Sequence, residues 1–383
     1  KTCSLCGATR EDKQLGLEAV FSCNGWATGA KCGACYVCRM TEVMAEVRRI
    51  LHPSGTLWLQ MGDSFASSPN GRSMSAAQEA GSSDSRVVRG GGQDRPIDTS
   101  KGPGLKPKDC ILQGHTLAMA LRADGWWLRS PICWVKGASF CPGWSGSVMP
   151  ESVKDRPTQS YEMIFLMTKR PNYFYDQFAV REDNSPTSQV GVYRNAGQRA
   201  NGSVVGHNQD LHAAGAIASN QGGRNLRSVW TINTEPSPLF HFATFPYAIP
   251  SYAIQLGSSE RGVCPHCLAP HTRIVEKGAI VPAVHDPTNN RTYKITDRPG
   301  ETNRDREGQV CMGLREKITK GWAQSCTCEP APPIPATVLD CFLGSGTSGL
   351  AAKNLGRSFV GIELNPDYAS MASQRLAQGA LDL

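Results

Sequence analysis

Two sets of residues in this 383-residue chain have the types and spacing to do chemistry. The first is a pair of carboxylates around a turn of small residues. Asp340 ends an apolar run, Gly344-Ser345-Gly346-Thr347 forms the turn, and Glu363 ends a second apolar run, Phe359 to Ile362. Glycines let a backbone approach a ligand closely, and a helix start beyond them offers unpaired N–H groups. An acid at the end of the next strand can accept hydrogen bonds from two ribose hydroxyls. Gly344, Gly346 and Gly349 satisfy G-x-G-x-x-G, with Glu363 19 positions after the first glycine. The pattern points to a nucleoside-containing cofactor; the alternative is a tight turn in some other α/β protein. Asp340 narrows the choice. A carboxylate four residues before the first glycine would repel a pyrophosphate but suits a sulfonium or an ammonium group.

The second set is cysteine. Cys3-x-x-Cys6 is followed by Cys23, Cys32, Cys35 and Cys38. C-x-x-C pairs suit tetrahedral zinc, and Cys3, Cys6, Cys32 and Cys35 make one knuckle, with Cys38 competing for the fourth place and free thiols as the alternative. Further on, Cys264-x-x-Cys267 and Cys326-x-Cys328 bracket a charged insertion of 58 residues and read as a zinc ribbon, with Cys311 a rival ligand. Four thiolates leave no open position for catalysis, so such a site is structural. His266 and His271 are expected in solvent rather than as ligands.

The elements that must position these groups can be read from the hydrophobic pattern. Val338 to Asp340, a helix from about Ser348 to Leu355 closed by Gly356, and Phe359 to Ile362 form one βαβ unit, with a last helix over Asp367 to Leu376. Upstream, a helical stripe Met40, Met44, Val47, Leu51 is stopped by His52-Pro53-Ser54-Gly55. Thr56 to Met61 reads as a buried strand ending at Asp63, which either faces a cofactor pocket or caps a helix or turn. A helix over Cys110 to Ala123, a strand from Trp126 and a strand over Glu162 to Lys169 follow. Pro131 places the middle one of these at an edge or a bend. Residues 66–104 and 176–226 lack periodicity. The βαβ unit stands last in the chain, so its sheet must be completed from upstream, a permuted order.

Composition sets bounds. Forty per cent apolar and 19% charged residues are ordinary for a globular chain. No apolar run approaches membrane-spanning length, and no secretory signal is visible, so no membrane partner is expected. Fifteen cysteines without a signal peptide suit a reducing compartment. The net charge of +7 is concentrated in loop-like stretches. Residues 66–109 hold seven basic against five acidic residues, 181–229 five against three, and 268–325 ten against seven. Such placement fits phosphate-contacting loops on a neutral scaffold, with solvated loops as the alternative. Lys136, Lys154, Arg156 and Lys169 are further candidates for phosphate contact.

The motifs together resemble a known family. DCFLGSGT is similar to the D-x-F-x-G-S-G-T motif of S-adenosylmethionine-dependent DNA amino-methyltransferases, with Cys341 where proline is usual, and GIELNPDY resembles the family's second motif. EVRRILHPSGTLWLQMGDSF resembles the helix and strand after the catalytic motif, and HFATFPYAIPSYAIQLGSS resembles the motif opening the cofactor half. The resemblance implies a Rossmann-like α/β sheet with helices on both faces, in permuted order and incomplete at the N-terminus, with zinc-ribbon-like insertions. It implies a Cys-rich knuckle at 1–38, a catalytic-half remnant at 39–175 with a mobile loop at 66–104, target recognition at 176–229, and a cofactor half at 230–383 with the ribbon at 264–328. S-adenosylmethionine would be held by Asp340, Phe342, Gly344, Ser345, Gly346, Thr347, Glu363 and Asn365, with Phe242, Thr244, Phe245 and Asp63 alongside. The implied activity is methylation of cytosine N-4 or adenine N-6 in double-stranded DNA, in the cytoplasm of a bacterium or phage-infected cell, beside a cognate restriction nuclease.

One part is missing. The family holds the flipped base with a (D/N/S)-P-P-(Y/F/W) turn. The chain has no such tetrapeptide; its Pro-Pro pair, Pro332-Pro333, has no aromatic after it. By family order the turn and two strands belong upstream of Gln14 to Glu18, so the chain is expected to be truncated at its N-terminus and inactive as it stands. Two other readings are a zinc-stabilised DNA-binding remnant and a dinucleotide-dependent oxidoreductase, the latter disfavoured by Asp340 and by the motif's place in the chain.

Overall fold

A computed structural model describes residues 21–66, 104–106, 108–137, 151, 153–182, 224–235, 245–281 and 314–378. Cys3, Cys6, Phe242 and Thr244 lie outside the described residues, as do nearly all of loop 66–104 and most of 176–229. In chain order the elements are α1 (Tyr36–Ile50), β1 (Thr56–Met61), α2 (Gln113–Ala123), β2 (Trp127–Val135), β3 (Tyr161–Thr168), β4 (Arg181–Glu182), β5 (Arg224–Asn225) and β6 (Val229–Thr231). These are followed by α3 (Ala248–Gly257), β7 (Thr272–Val281), β8 (Leu314–Ala323), β9 (Thr337–Asp340), α4 (Thr347–Asn354), β10 (Ser358–Gly361) and α5 (Pro366–Gln378). They divide into two units, one of residues 1–174, 228–258 and 335–383, the other of 175–227 and 259–334.

In the first unit α1 buries Val37, Met40, Thr41 and Met44, a stripe at helical spacing. Its last turn is closed from outside the helix, since the Lys169 ammonium donates to the carbonyls of Arg49 (3.3 Å) and Leu51 (2.9 Å). A cation suits a helix C-terminus, where carbonyls lack intrahelical partners. Helix α2 buries Leu117, Ala118, Ala120 and Leu121 in the same core. The chain then turns at Gly125, whose φ of 97° explains the glycine there.

A four-stranded sheet, in order β1-β3-β2-β6, lies against these helices. Strand β3 is central and antiparallel to both neighbours, and Ile164 to Thr168 are buried. Pro131 was expected to place β2 at a sheet edge or at a bend. Strand β2 is not an edge strand over its whole length: β3 lies between β1 and β2, and β6 runs parallel outside β2 along Cys133 to Val135. Pro131 precedes that three-residue pairing and follows a register shift between Leu128 and Ser130, so its missing N–H falls where β6 does not reach.

Strands β9 and β10 form a separate parallel pair with α4 between them in the chain. Among the described residues no ladder joins this pair to the four-stranded sheet. Helix α3 touches both. Its Ile254 packs with Ala351 and Ala352 of α4, and Tyr247 and Phe359 lie against that cluster. Arg357, before β10, donates to the Ser258 hydroxyl (3.0 Å) and carbonyl (3.1 Å) just past the end of α3. On its other side Tyr252 meets Trp230 of β6 edge to face at 5.5 Å, and Trp230 lies 6.0 Å from Trp58 of β1. A Cβ on Gly257 would fall 2.3 Å from the Thr56 hydroxyl, so a glycine is required for that approach.

The second unit has little apolar core of its own among the described residues. Strands β7 and β8 pair antiparallel, and β4 pairs β5. Arg273 organises the base of β7. It donates to Asp176 Oδ1 (3.3 Å) and Oδ2 (2.8 Å) and to Glu260 (2.9 Å), and its guanidinium lies 4.4 Å from the Trp322 ring centre. Asp176 is only 5% exposed, so this fork of hydrogen bonds is what makes its burial tolerable.

Gly114 of α2 tests how tightly the first core is filled. A Cβ there would lie 2.9 Å from the Phe165 ring and 3.0 Å from the Met61 Cβ. Alanine gains about 1 kcal/mol in helix propensity, but overpacking costs about 1–3 kcal/mol. Gly114→Ala is therefore expected to destabilise the chain, read as a lower urea midpoint with unchanged slope. A raised midpoint would show that the helix–sheet contact is looser than the distances indicate.

Candidate cofactor site and cysteine clusters

The glycine turn joins the end of β9 to the start of α4. Gly344 (φ 53°) and Gly346 (φ 84°) adopt left-handed backbone conformations that favour glycine. Gly346 also faces helix α5, where an added Cβ would sit 3.0 Å from the Ala372 Cβ and 3.2 Å from its Cα. Gly349 lies in the first turn of α4, where a Cβ would strike the Phe359 ring at 2.8 Å. The three motif glycines thus bend the turn, admit α5 and admit β10, respectively.

Both carboxylates brace the turn. Glu363 accepts from the Gly344 N–H (2.7 Å) through Oε2 and from the Asn365 N–H (2.8 Å) through Oε1. Asp340 accepts from the Phe342 N–H (2.9 Å) through Oδ1 and from the Ser348 hydroxyl through Oδ2. Two acids therefore stand at the mouth of one turn, each fixed in direction by a backbone amide and each with lone pairs to spare. Asn365 caps the next helix, its side-chain oxygen accepting from the Asp367 N–H at 2.9 Å. Ser345 and Thr347 are buried under α5, and Arg375 donates to the Thr347 hydroxyl at 3.0 Å.

Three large apolar side chains beside the two acids are exposed, namely Phe342 (49%), Ile362 (55%) and Leu364 (47%). Phe342 is among the residues that the family resemblance implies for the cofactor. Ile362 and Leu364 are not, although their position on either side of Glu363 could be read from the sequence. Phe245 is partly buried just before α3, which packs on α4. Asp63 serves the cap reading of its sequence position. Its Oδ1 accepts from the Ser64 (2.9 Å) and Gln113 (3.0 Å) N–H groups, and the Cys110 thiol donates to Oδ2 at 3.4 Å. Gln113 opens α2, so the carboxylate satisfies an orphan donor at that helix start.

The phosphate candidates among the basic residues are largely engaged. Lys136 pairs with Glu162 at 2.5 Å, Arg156 with Glu151 at 2.7 Å, and Lys169 holds the end of α1.

Among the described residues two groups of four cysteines bring their sulfurs within 4.8 Å of one another, Cys264/Cys267/Cys326/Cys328 in the second unit and Cys23/Cys32/Cys35/Cys38 in the first. The second-unit group contains the ribbon residues read from the sequence, and Cys311 lies outside the described residues. The first-unit group keeps Cys32 and Cys35 but adds Cys23 and Cys38. His271, expected in solvent, is instead buried (8% exposed), because its backbone N–H bonds to the Gly262 carbonyl and draws it under the turn.

The family model for DNA methylases of the N-6/N-4 class matches residues 29–264 and 330–374. The chain belongs to this DNA methylase family. The type II methyltransferase M.XycI of Xanthomonas campestris pv. cyanopsidis is 31% identical over 339 residues, 88% of this chain and 70% of that protein. The type II methyltransferase M.Cfr9I of Citrobacter freundii is 29% identical over 365 residues, 95% of this chain and 75% of that one. Among solved structures, the PvuII DNA methyltransferase (cytosine-N4-specific) matches 91% of this chain and 72% of its own at 12% identity, with a TM-score of 0.42.

Cys341 stands next to Asp340 where the family usually has proline. Burial, then the Asp340 charge, push its thiol up to about 11, while backbone N–H groups of Ala34 and Cys35 pull the Cys32 thiol down to about 6. Only the thiolate reacts with an alkylating agent. In metal-free chain, modification of Cys341 by iodoacetamide should still rise about tenfold per pH unit between pH 8 and 10, whereas that of Cys32 should level off above about pH 7. Peptide mass mapping across that range checks it; parallel profiles would refute the difference in environment.

Proposed function

We propose that the turn from Asp340 to Thr347 and the acid Glu363 bind S-adenosylmethionine, and that the target is the exocyclic amine of cytosine (N-4) or adenine (N-6) in double-stranded DNA. The observation that carries this reading is the Glu363 carboxylate hydrogen-bonded to the Gly344 N–H, which puts a ribose acceptor against a glycine turn. Asp340, across the turn, offers negative charge to the ammonium or sulfonium of the methionine part. Phe342, Ile362 and Leu364 offer apolar surface to the adenine. Gly344, Ser345, Gly346 and Thr347 shape the turn, Asn365 holds Glu363 in direction, and Phe242, Thr244 and Phe245 would border the methionine part. Asp63 acts through the start of α2.

Bound S-adenosylmethionine would supply an electrophilic methyl, and the protein's part is to orient an amine towards it and exclude water. None of the 383 residues forms the Pro-Pro-aromatic turn with which the family holds that amine, so cofactor binding is the step these residues themselves support. The four cysteines Cys264, Cys267, Cys326 and Cys328 fit a structural zinc ion, which would close the base of the β7–β8 pair. The relatives' designation as type II methyltransferases makes a restriction nuclease of matching specificity the natural companion.

Calorimetric titration with S-adenosylhomocysteine tests the site, with NAD as control. Saturable binding is expected for the first and none for the second. Glu363→Ala and Asp340→Ala should each weaken it at least about tenfold, since a hydrogen bond to a charged group contributes about 1.5–3 kcal/mol. Binding of NAD, or an affinity in both variants unchanged from that of the unmutated chain, would overturn the assignment.

A further inference from the structure

We infer that Cys23, Cys32, Cys35 and Cys38 form a second zinc site, which ties the segment before α1 to the start of that helix. The ligand set differs from the Cys3/Cys6/Cys32/Cys35 knuckle that spacing alone suggests. A tetrahedral zinc with Zn–S of about 2.3 Å holds its sulfurs about 3.8 Å apart. The four sulfurs here lie within 4.8 Å of one another, and those of Cys23 and Cys38 are 3.5 Å apart.

The surroundings are built for thiolates. Cys32 accepts from the backbone N–H groups of Ala34 (3.4 Å) and Cys35 (3.3 Å), and Cys35 accepts from the Cys38 N–H (3.5 Å). Cys35 is the N-cap of α1, so two ligands sit at the positive end of a 15-residue helix, where negative sulfur is stabilised. Burial argues the same way. Cys35 and Cys38 are 1% and 0% exposed within the apolar core. Holding the cluster there also fixes Phe21, which stacks on Tyr36 at 5.7 Å, and the short turn Gly25–Thr28.

The site is independent of the cofactor reading and of the ribbon, because each has its own variants. Zinc content of the full chain, purified under reducing conditions, is measured by plasma mass spectrometry. Cys32→Ser, at the exposed member of the set, should lose one ion per chain relative to the unmutated protein. Cys23→Ser should do the same, and Cys23→His, which restores a ligand, should not. The double variant Cys3→Ser/Cys6→Ser should keep its zinc unchanged. Unchanged metal in Cys32→Ser and Cys23→Ser, or loss of one ion in the Cys3/Cys6 variant, would overturn the assignment. A readout that needs no variant is alkylation of the unmutated chain. Cys23, Cys32, Cys35 and Cys38 should become reactive together, and only after chelation; Cys32 labelling at the same rate with and without chelator, or a Cys23–Cys38 disulfide in the isolated chain, would equally refute it.

Discussion

The structure of the first unit depends on the close approach of α3 to β1. The two sheets of this unit share no ladder among the described residues, so hydrogen bonding does not align them. Alignment falls to side-chain packing through one ten-residue helix. Ile254 meets Ala351 and Ala352 on one side, Tyr252 meets Trp230 on the other, and Gly257 leaves room for Thr56. Small residues on α4 and a glycine on α3 permit short distances between backbones. Packing of this kind is sensitive to a single methylene, since interiors are as dense as organic crystals. The Arg357 fork on Ser258 fixes the same joint with directional bonds.

The glycine turn shows how a group proposed to bind a ligand can first be a structural one. Asp340 and Glu363 each hold a backbone amide of the turn they serve. A carboxylate oxygen has two lone pairs, so holding the turn does not exhaust it. Fixing both acids before any ligand arrives lowers the ordering cost of binding. The exposed Phe342, Ile362 and Leu364 complete the picture, because apolar side chains left in water beside fixed acids suit a ligand that is part ring and part charge.

Much of this was legible in the sequence. The βαβ unit declared itself because an apolar run, a glycine turn, a helix-like segment and a second apolar run ending in an acid follow one another within 26 residues, from Val338 to Glu363. The ribbon cysteines were legible because close pairs survive any intervening loop. Other features depend on three-dimensional proximity that spacing does not encode. No local pattern shows that β3 inserts between β1 and β2. The role of Asp63 turns on Gln113, 50 positions away. Cys23 lacks a neighbouring cysteine, so its association with Cys38 could not be read from a C-x-x-C rule. Lysines and arginines that looked available to phosphate are used to close helix ends and pair buried-side acids, because charge alone does not reveal which surface a residue faces.

The order of the elements along the chain has a consequence for how the protein is made. Helix α3 leaves the ribosome well before α4, since Ile254 and Ala351 are 97 positions apart. At roughly 5–20 residues per second, a nascent chain would wait on the order of 5–20 seconds with the α4-facing side of α3 uncovered. During that interval the four-stranded sheet, whose strands have all been synthesised, can hold α3 through Trp230 and Tyr252. Vectorial synthesis thus places the glycine turn last, on a surface already waiting to receive it.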